Sequence, residues 1–123
     1  MRGIGVSSFV ESAGGRPIDW GRLEVSADRR VVLYVGTHNH GQGHETSFAQ
    51  VVVQELGVPF ECVSIRCSDS DELKGGSGTH ASRSMRVAGT IAIETAAAVI
   101  AAGKRRGPPR IGCHGRGGTF SVG

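Results

Sequence analysis

The sequence predicts an α+β fold in which two helices pack on a small mixed β-sheet, with the chain order β-β-β-α-β-α. Two observations carry this prediction. Short apolar or alternating runs are typical of strands, whereas two longer segments repeat their apolar residues at helical spacing. Turns that contain glycine or proline separate these segments. The 123 residues are enough for one domain.

The first half of the chain predicts three strands. Residues 3–12 alternate apolar with mostly small side chains, and residues 19–27 form a second strand after a turn rich in glycine and proline. The sequence Asp-Arg-Arg at residues 28–30 predicts a tight turn, which leads into the third strand, Val31–Val35. Its sequence, VVLYV, is apolar throughout, which predicts burial on both faces.

The second half predicts a helix, a strand and a longer helix. The first helix has one apolar face, made of Phe48, Val51, Val52 and Leu56. A capping box of Ser47 and Gln50 predicts its start, and Gly57 predicts its end. A strand over residues 60–67 follows. The longer helix, over residues 82–103, carries a stripe of small apolar residues that allows close packing.

Composition and charge exclude several classes of protein. Apolar residues make up 38% and charged residues 20%, so the chain is not disordered by charge. Glu94 interrupts the longest apolar stretch, and the N-terminus has no export-signal pattern, so we expect no membrane segment. Three cysteines form no closed disulfide framework, which predicts reduced thiols and a cytoplasmic location. The basic tail lacks interleaved aromatic residues, so we expect no nucleic-acid partner.

Two polar, glycine-rich loops, over residues 36–44 and 68–79, each lead into a predicted helix. A helix N-terminus has free N–H groups and partial positive charge, and glycine lets the backbone approach a ligand. Such loops favour an anionic or polar ligand, phosphate above all. If both helices pack side by side on one sheet, both loops leave at the same end. One extended ligand could then lie across them.

The histidines of the first loop leave three interpretations open. His38, His40 and His44 form an H-x-H-x3-H pattern, which occurs in some zinc hydrolases. The same residues could instead be hydrogen-bonding loop histidines, or they could contact a ligand.

The second loop also leaves alternatives open. Asp69 and Asp71 fit either paired catalytic acids or ordinary turn chemistry. Arg83 and Arg86, at the start of the longer helix, could bind a phosphate or be solvated.

Three segments of the chain resemble a known family. Residues 36–61 read GTHNHGQGHETSFAQVVVQELGVPFE, which closely resembles the molybdopterin-binding part of molybdenum hydroxylase large subunits. These are the xanthine dehydrogenase, aldehyde oxidase and carbon monoxide dehydrogenase family. Residues 68–89 read SDSDELKGGSGTHASRSMRVAG, which is similar to the family's later loop and helix, although Ser68 and Ser70 depart from its usual Gly-Asp-Thr-Asp. Residues 3–11, GIGVSSFVE, resemble the strand that opens this region.

The resemblance implies a molybdenum–molybdopterin cofactor, often in the cytosine dinucleotide form in bacteria. The cofactor's own sulfurs and oxo, sulfido or hydroxo groups hold the metal, so the protein supplies no metal ligand. Gln42 matches the family glutamine that hydrogen-bonds near the molybdenum. The other positions implied to contact the cofactor are Gly41, Gly43 and His44 in the first loop and Thr79, His80, Ala81, Ser82 and Ser84 in the second.

The family reaction, as the resemblance implies it, is the hydroxylation of an aldehyde or a heteroaromatic carbon, or the oxidation of a small carbon substrate. A glutamate in a Gly-x-Gly-Glu segment acts as base. This sequence contains no such segment, no upstream Gly-Gly-Phe-Gly-Gly motif and no four-cysteine iron–sulfur pattern. We therefore expect a fragment of an oxidoreductase that is inactive by itself, with no catalytic residue of its own.

The resemblance divides the chain and implies its partners. Residues 1–103 would be part of a molybdopterin-binding domain, and residues 104–123 an irregular tail with a short last strand at 119–122. We interpret the tail as a local frameshift or an assembly error in the reading frame. The implied partners are the remainder of the large subunit, or a complementary fragment, and iron–sulfur and flavin (FAD) subunits or domains. Two alternatives stay open: a non-catalytic module that completes a split subunit, and a His-ligated metal hydrolase.

Overall fold

The computed structural model describes residues 2–14 and 18–105, and the backbone of residues 120–122. Residues 15–17 of the first predicted turn and residues 106–119 of the predicted tail lie outside the described part. The strands are β1 (Gly21–Val25), β2 (Val31–Val35), β3 (Val63–Cys67) and β4 (Phe120–Val122), and the helices are α1 (His44–Leu56) and α2 (Ser84–Arg105). They form the predicted α+β arrangement.

The sheet is mixed, with strand order β3-β2-β1-β4. β1 and β2 form an antiparallel hairpin, whose turn is closed by a 2.9 Å hydrogen bond from Ser26 N to Arg30 O. β4 is antiparallel to β1. β2 and β3 are parallel, with Val31 opposite Val63, and α1 connects them. Because the carboxyl ends of two parallel strands lie at the same edge, the loops that follow them are neighbours.

Both helices cover one face of the sheet, with α1 against β3, α2 against β1, and the helices against each other. Alternate residues of β2 supply the centre of this layer, because successive side chains of a strand point to opposite faces. The fully buried core consists of Leu23, Val31, Leu33, Val35, Phe48, Val52, Ala88, Ala92 and Ala96. Alanines on α2 allow its backbone to approach the sheet closely.

The other face of β2 is only half-buried, so the prediction of burial on both faces is wrong for this chain. Tyr34 lies on that face beneath the Arg22 guanidinium, which is 4.3 Å from the ring centroid. The Tyr34 hydroxyl hydrogen-bonds to Glu24 at 3.3 Å. Charged side chains, rather than a second apolar layer, cover this face.

Residues 3–12 form no strand, which corrects the first of the predicted elements. Alternation gives a segment a strand-like pattern, but a strand also needs a neighbour for its backbone N–H and C=O groups. The described part of the chain provides no such neighbour.

The predicted capping box of Ser47 and Gln50 is also wrong. α1 begins four residues earlier than that box implies, at His44, with Gly43 at the N-cap in a left-handed conformation and no side-chain cap. Ser47 lies within the first turn, where its hydroxyl donates to Gly43 O at 3.1 Å. A glycine reaches positive φ without steric cost, so it can turn the loop directly into the helix.

The remaining predicted elements lie close to their expected positions. β1 is shorter than the predicted 19–27, and a short 3₁₀ turn at Phe60–Cys62 precedes β3. α2 meets the length and composition of a membrane span, with a mean hydropathy of 1.5. Its buried residues pack on β1 and α1, as in the core helix of a globular domain.

Candidate functional site

The loop after β2 and the loop before α2 are joined at Thr37, whose side chain is completely buried. Its Oγ1 lies 2.7 Å from Thr79 Oγ1 and 2.6 Å from Ser84 Oγ. Thr79 Oγ1 also accepts from His38 N and donates to His38 O, both at 2.7 Å. One arrangement of hydroxyl protons satisfies every one of these bonds. Thr37 therefore fixes the two loops to each other.

A backbone contact between Gly36 and Gly76 brings the loops together at a second point. A Cβ on Gly76 would lie 2.9 Å from Gly36 Cα, and a Cβ on Gly36 would lie 2.9 Å from Gly76 Cα. Real Cβ atoms do not approach backbone this closely, so any side chain at either position would force the loops apart.

A buried ion pair connects the second loop to the segment before β1. Arg83 and Asp19 are 1% and 2% exposed, and their side chains are 3.5 Å apart. Arg83 also donates to Ile18 O at 2.7 Å and to Gly78 O at 3.3 Å. The guanidinium thus connects the second loop to the segment before β1. Arg83 is neither solvated nor free for a phosphate, which corrects both interpretations from the sequence.

Arg86, Asp69 and Asp71, for which the sequence also left alternatives open, form hydrogen bonds within or near the loops. Arg86 donates to Gly14 O at 2.8 Å, so it too is engaged with backbone. Asp69 accepts from Asp71 N at 3.1 Å through its carboxylate and from Leu73 N at 3.1 Å through its carbonyl. This geometry is turn chemistry rather than a pair of catalytic acids.

The two loops line one cleft of about 420 Å³. Seven of the nine predicted site residues line it: Gln42, His44, Thr79, His80, Ala81, Ser82 and Ser84. Gly41 and Gly43 do not, but both have positive φ, at 113° and 75°, and shape the first loop. Ser47, Arg83 and Met85 also line the cleft, and sequence reasoning did not place them there.

The backbone of the second loop is strained where it borders the cleft. Ala81 and Ser82 are consecutive non-glycine residues with φ of 50° and 48°. Such strain costs on the order of 1–3 kcal/mol per residue and clusters at functional sites. The left-handed turn places the Ala81–Ser82 backbone at the cleft wall, immediately before α2.

His44 is a buried titratable group of the cleft, at 6% exposure. Its ring packs on Phe48 with centroids 4.9 Å apart, and its Nδ1 is buried without a hydrogen-bond partner. Burial lowers the pKa of His44, and the neighbouring His40 and His38 lower it further, against the attraction of Glu45. The imidazole is therefore neutral at pH 7, and it carries an unsatisfied nitrogen in the cleft wall.

Gln42 borders the cleft with its amide turned onto its own loop. The Oε1 accepts from His40 N at 2.6 Å, and the Nε2 donates to His38 O at 3.2 Å. The Gln42 side chain therefore stabilises the first loop through hydrogen bonds to its backbone. This is the residue that the resemblance matches to the family's glutamine.

The loop histidines do not assemble a metal site. The His38 and His40 rings stack with centroids 5.7 Å apart. Among the residues that the structure describes, no three or more His, Cys, Asp or Glu side chains come together as metal ligands. The hypothesis of a His-ligated metal hydrolase is wrong for this part of the chain.

These features define a class of site. A helix N-terminus without a side-chain cap, a cleft walled by loop backbone, a serine hydroxyl and an unpaired imidazole nitrogen suit an organic, anionic cofactor. They do not suit a bare metal ion.

Comparison with known proteins identifies the cofactor class. The family model of the molybdopterin cofactor-binding domain matches residues 1–114, and the chain belongs to this family. It is 34% identical over 100 residues to the carbon monoxide dehydrogenase large chain of Afipia carboxidovorans, which covers 72% of this chain and 12% of that relative. It is 34% identical over 99 residues to the nicotine 6-hydroxylase large subunit of Paenarthrobacter nicotinovorans, which covers 71% and 12%.

A solved structure supports the same assignment. Reconstituted CO dehydrogenase from Oligotropha carboxidovorans superposes with a TM-score of 0.67 at 32% identity, covering 71% of this chain and 11% of that one. The family resemblance and the fold class are thereby confirmed. The chain spans about 12% of the length of the curated relatives it matches, so the similarity covers one part of those large subunits.

Proposed function

We propose that the chain forms one wall of the molybdenum-cofactor site of an oxidoreductase, with molybdopterin in the cleft between the two loops. One observation carries the proposal: loops about 40 residues apart in sequence, each leading into a helix, line a single cleft of about 420 Å³. The residues suit such a cofactor, because its phosphate and pterin groups need the hydrogen-bond donors and acceptors that this wall offers.

Each part of the wall would act differently. The first-turn N–H groups of α1 would donate to an anionic group, and the helix dipole would favour its charge. The exposed Ser82 hydroxyl would add a hydrogen bond, and His44 Nδ1 would gain the partner that it lacks. Thr79 and Ser84 act through Thr37, since their hydroxyls already bond to it. Gln42 would exchange bonds within its loop for one toward the cofactor.

The bound cofactor supplies the oxygen-transfer and electron-transfer chemistry, and the protein orients it and excludes water. We propose the cytosine dinucleotide form, with iron–sulfur and FAD groups on other domains or subunits, and a cytoplasmic location. The substrate class extends over aldehydes, heteroaromatics and small carbon compounds. The base would lie in the remainder of the large subunit or in a complementary fragment, so we expect no turnover from this chain alone.

A chimeric large chain tests cofactor binding. This 123-residue chain replaces the matching segment of the Afipia carboxidovorans carbon monoxide dehydrogenase large chain. Molybdenum by elemental analysis and pterin by fluorescence after oxidation are then measured per folded chain. Met85→Trp would fill the cleft that Met85 lines, and we expect at least a tenfold loss of both.

Ile93→Trp is the matched control. Met85 and Ile93 are 46% and 45% exposed and lie on the same helix, but Ile93 is not part of the cleft. We expect its cofactor content to equal that of the unsubstituted chimera. A folded chimera without pterin, or equal loss in both variants, would contradict the proposal.

A further inference from the structure

The hydrogen bonds around Thr37 have a direction, which one backbone carbonyl fixes. A Ser or Thr hydroxyl has one proton to donate and two lone pairs with which to accept. Thr79 Oγ1 lies 2.7 Å from His38 O, and because a carbonyl oxygen only accepts, Thr79 donates its proton there. Thr79 therefore accepts from Thr37, and Thr37, whose single proton is then engaged, accepts from Ser84 at 2.6 Å. The bonds run in one direction, from Ser84 to His38 O.

This direction decides what Thr79 and Ser84 offer to the cleft, which both residues line. Thr79 Oγ1 also accepts from His38 N at 2.7 Å, so its proton and both of its lone pairs are engaged. Ser84, the first residue of α2, directs its proton to Thr37, and no described residue donates to its lone pairs. Ser84 is only partly buried, so its oxygen meets a ligand as a hydrogen-bond acceptor and not as a donor.

The other two serines of the cleft differ from each other in the same respect. The Ser47 hydroxyl donates to Gly43 O at 3.1 Å, so its proton is engaged with the backbone of the first loop. The exposed Ser82 hydroxyl has no hydrogen bond to a described residue, so it can rotate to donate or to accept. Of the three serines, only Ser82 is therefore able to donate to a ligand.

We propose that Ser84 orients the ligand by accepting a hydrogen bond from one of its N–H groups, with Thr37 as the positioning residue that takes the Ser84 proton. The proposal rests on the proposed function, and it specifies which part of molybdopterin lies at the start of α2. A pterin carries an amino group and a ring N–H on its pyrimidine edge, whereas the phosphate lies at the opposite end of the molecule. The pyrimidine edge would donate to Ser84, whereas a phosphate there would bring two acceptors together.

Two small ligands test this proposal on the full 123-residue chain by NMR chemical-shift titration. Pterin has the amino group and the ring N–H. Dimethyllumazine, methylated at both pyrimidine nitrogens, has the same two-ring frame with carbonyl groups and no N–H donor. One hydrogen bond of this kind changes Kd by about fivefold, so we expect the unsubstituted chain to bind pterin more tightly by about that factor. Ser84→Ala should weaken pterin alone and bring the two Kd values close together.

Thr37→Val separates the direction of the hydrogen bond from the space in the cleft. It leaves the Ser84 side chain in place but removes the acceptor of its proton, so Ser84 becomes able to donate to a carbonyl of dimethyllumazine. We expect dimethyllumazine to bind more tightly to this variant, whereas a merely structural role of Thr37 would weaken both ligands. Thr37→Ser, which keeps the acceptor, should restore the preference for pterin.

Ser82→Ala is the matched control, because it removes a hydroxyl of the same cleft whose proton is not engaged. It should change both Kd values by the same factor. Equal Kd values in the unsubstituted chain, or equal loss of preference in Ser82→Ala and Ser84→Ala, would overturn the proposal and leave pterin binding standing. Binding of neither ligand would contradict the proposed function as well. If Ser84→Ala does not fold, an unchanged preference in Thr37→Val would overturn the proposal.

Discussion

Adjacent glycines in the second loop should respond in opposite ways to the same substitution. Gly75 and Gly76 both lack positive φ, so alanine is compatible with the backbone conformation at each. A Cβ on Gly75 would meet only Trp20 Cδ1, at 3.8 Å, which is ordinary contact. A Cβ on Gly76 would lie 2.9 Å from Gly36 Cα and 3.1 Å from Gly36 O. The clash at Gly76 is with backbone, which cannot rotate away.

The expected difference follows from these distances. Carbon atoms prefer separations of about 3.5–4.0 Å, so Gly76→Ala would compress a contact by more than half an ångström. Overpacking of this kind costs about 1–3 kcal/mol. Gly75→Ala loses no contact and restricts the unfolded chain, which stabilises by about 0.4–1 kcal/mol. We expect the two variants to differ by about 2 kcal/mol in the free energy of unfolding.

Urea unfolding, followed by circular dichroism, measures the difference directly. With a dependence of about 1–3 kcal/mol per molar urea, the two midpoints should lie on the order of 1 M apart. Gly75→Ala should unfold at or above the urea concentration of the unsubstituted chain, and Gly76→Ala below it. Coincident midpoints for the two variants would show that the Gly36–Gly76 contact does not constrain the loops.

Three further predictions concern the groups that hold the cleft. Thr37→Val should lower the free energy of unfolding by about 1–3 kcal/mol, because two hydroxyls lose their buried partner, and Thr37→Ser should restore most of it in the same urea assay. Asp19→Asn leaves Arg83 without its buried counter-charge and should cost about 3–5 kcal/mol in thermal unfolding, whereas an unchanged Tm would refute a structural role for the pair. Burial lowers the pKa of His44 in the folded state, so the unfolded state binds more protons as pH falls below 6.5. Stability should therefore decrease between pH 7 and 5, and His44→Gln should flatten that dependence; equal pH profiles would contradict it.

Local pattern was sufficient to predict most of the fold. The apolar runs located β1, β2 and β3, although the alternating run of residues 3–12 forms no strand, and helical spacing located both helices. The parallel pairing of β2 with β3 explains why the loops converge, as expected from two helices on one sheet. The start of α1 was misplaced because Ser47 and Gln50 fit a capping box, whereas Gly43 has no side chain to signal its role.

The structural features that the sequence did not predict depend on residues that are distant in sequence. Arg83 is separated from Ile18 by 65 residues, and nothing beside it in the sequence reveals a buried ion pair. Thr37 follows a buried strand, a position from which its burial could have been inferred, but its bonds to Thr79 and Ser84 could not. Residues 3–12 have the alternating pattern of a strand but form no strand. Periodicity shows which side chains need to be buried, but it does not show which part of the polypeptide buries them.

The connection of β2, α1 and β3 into one continuous stretch has a consequence for synthesis. Residues 31–67 contain a parallel strand pair with its connecting helix, so every residue of the first wall is synthesised before the second wall begins. The second wall needs the later contacts of Arg83 with Ile18 and Asp19, and of Arg86 in α2 with Gly14. The two walls of the cleft are therefore synthesised one after the other, and the cleft is complete only once Arg83 and Arg86 contact the residues before β1.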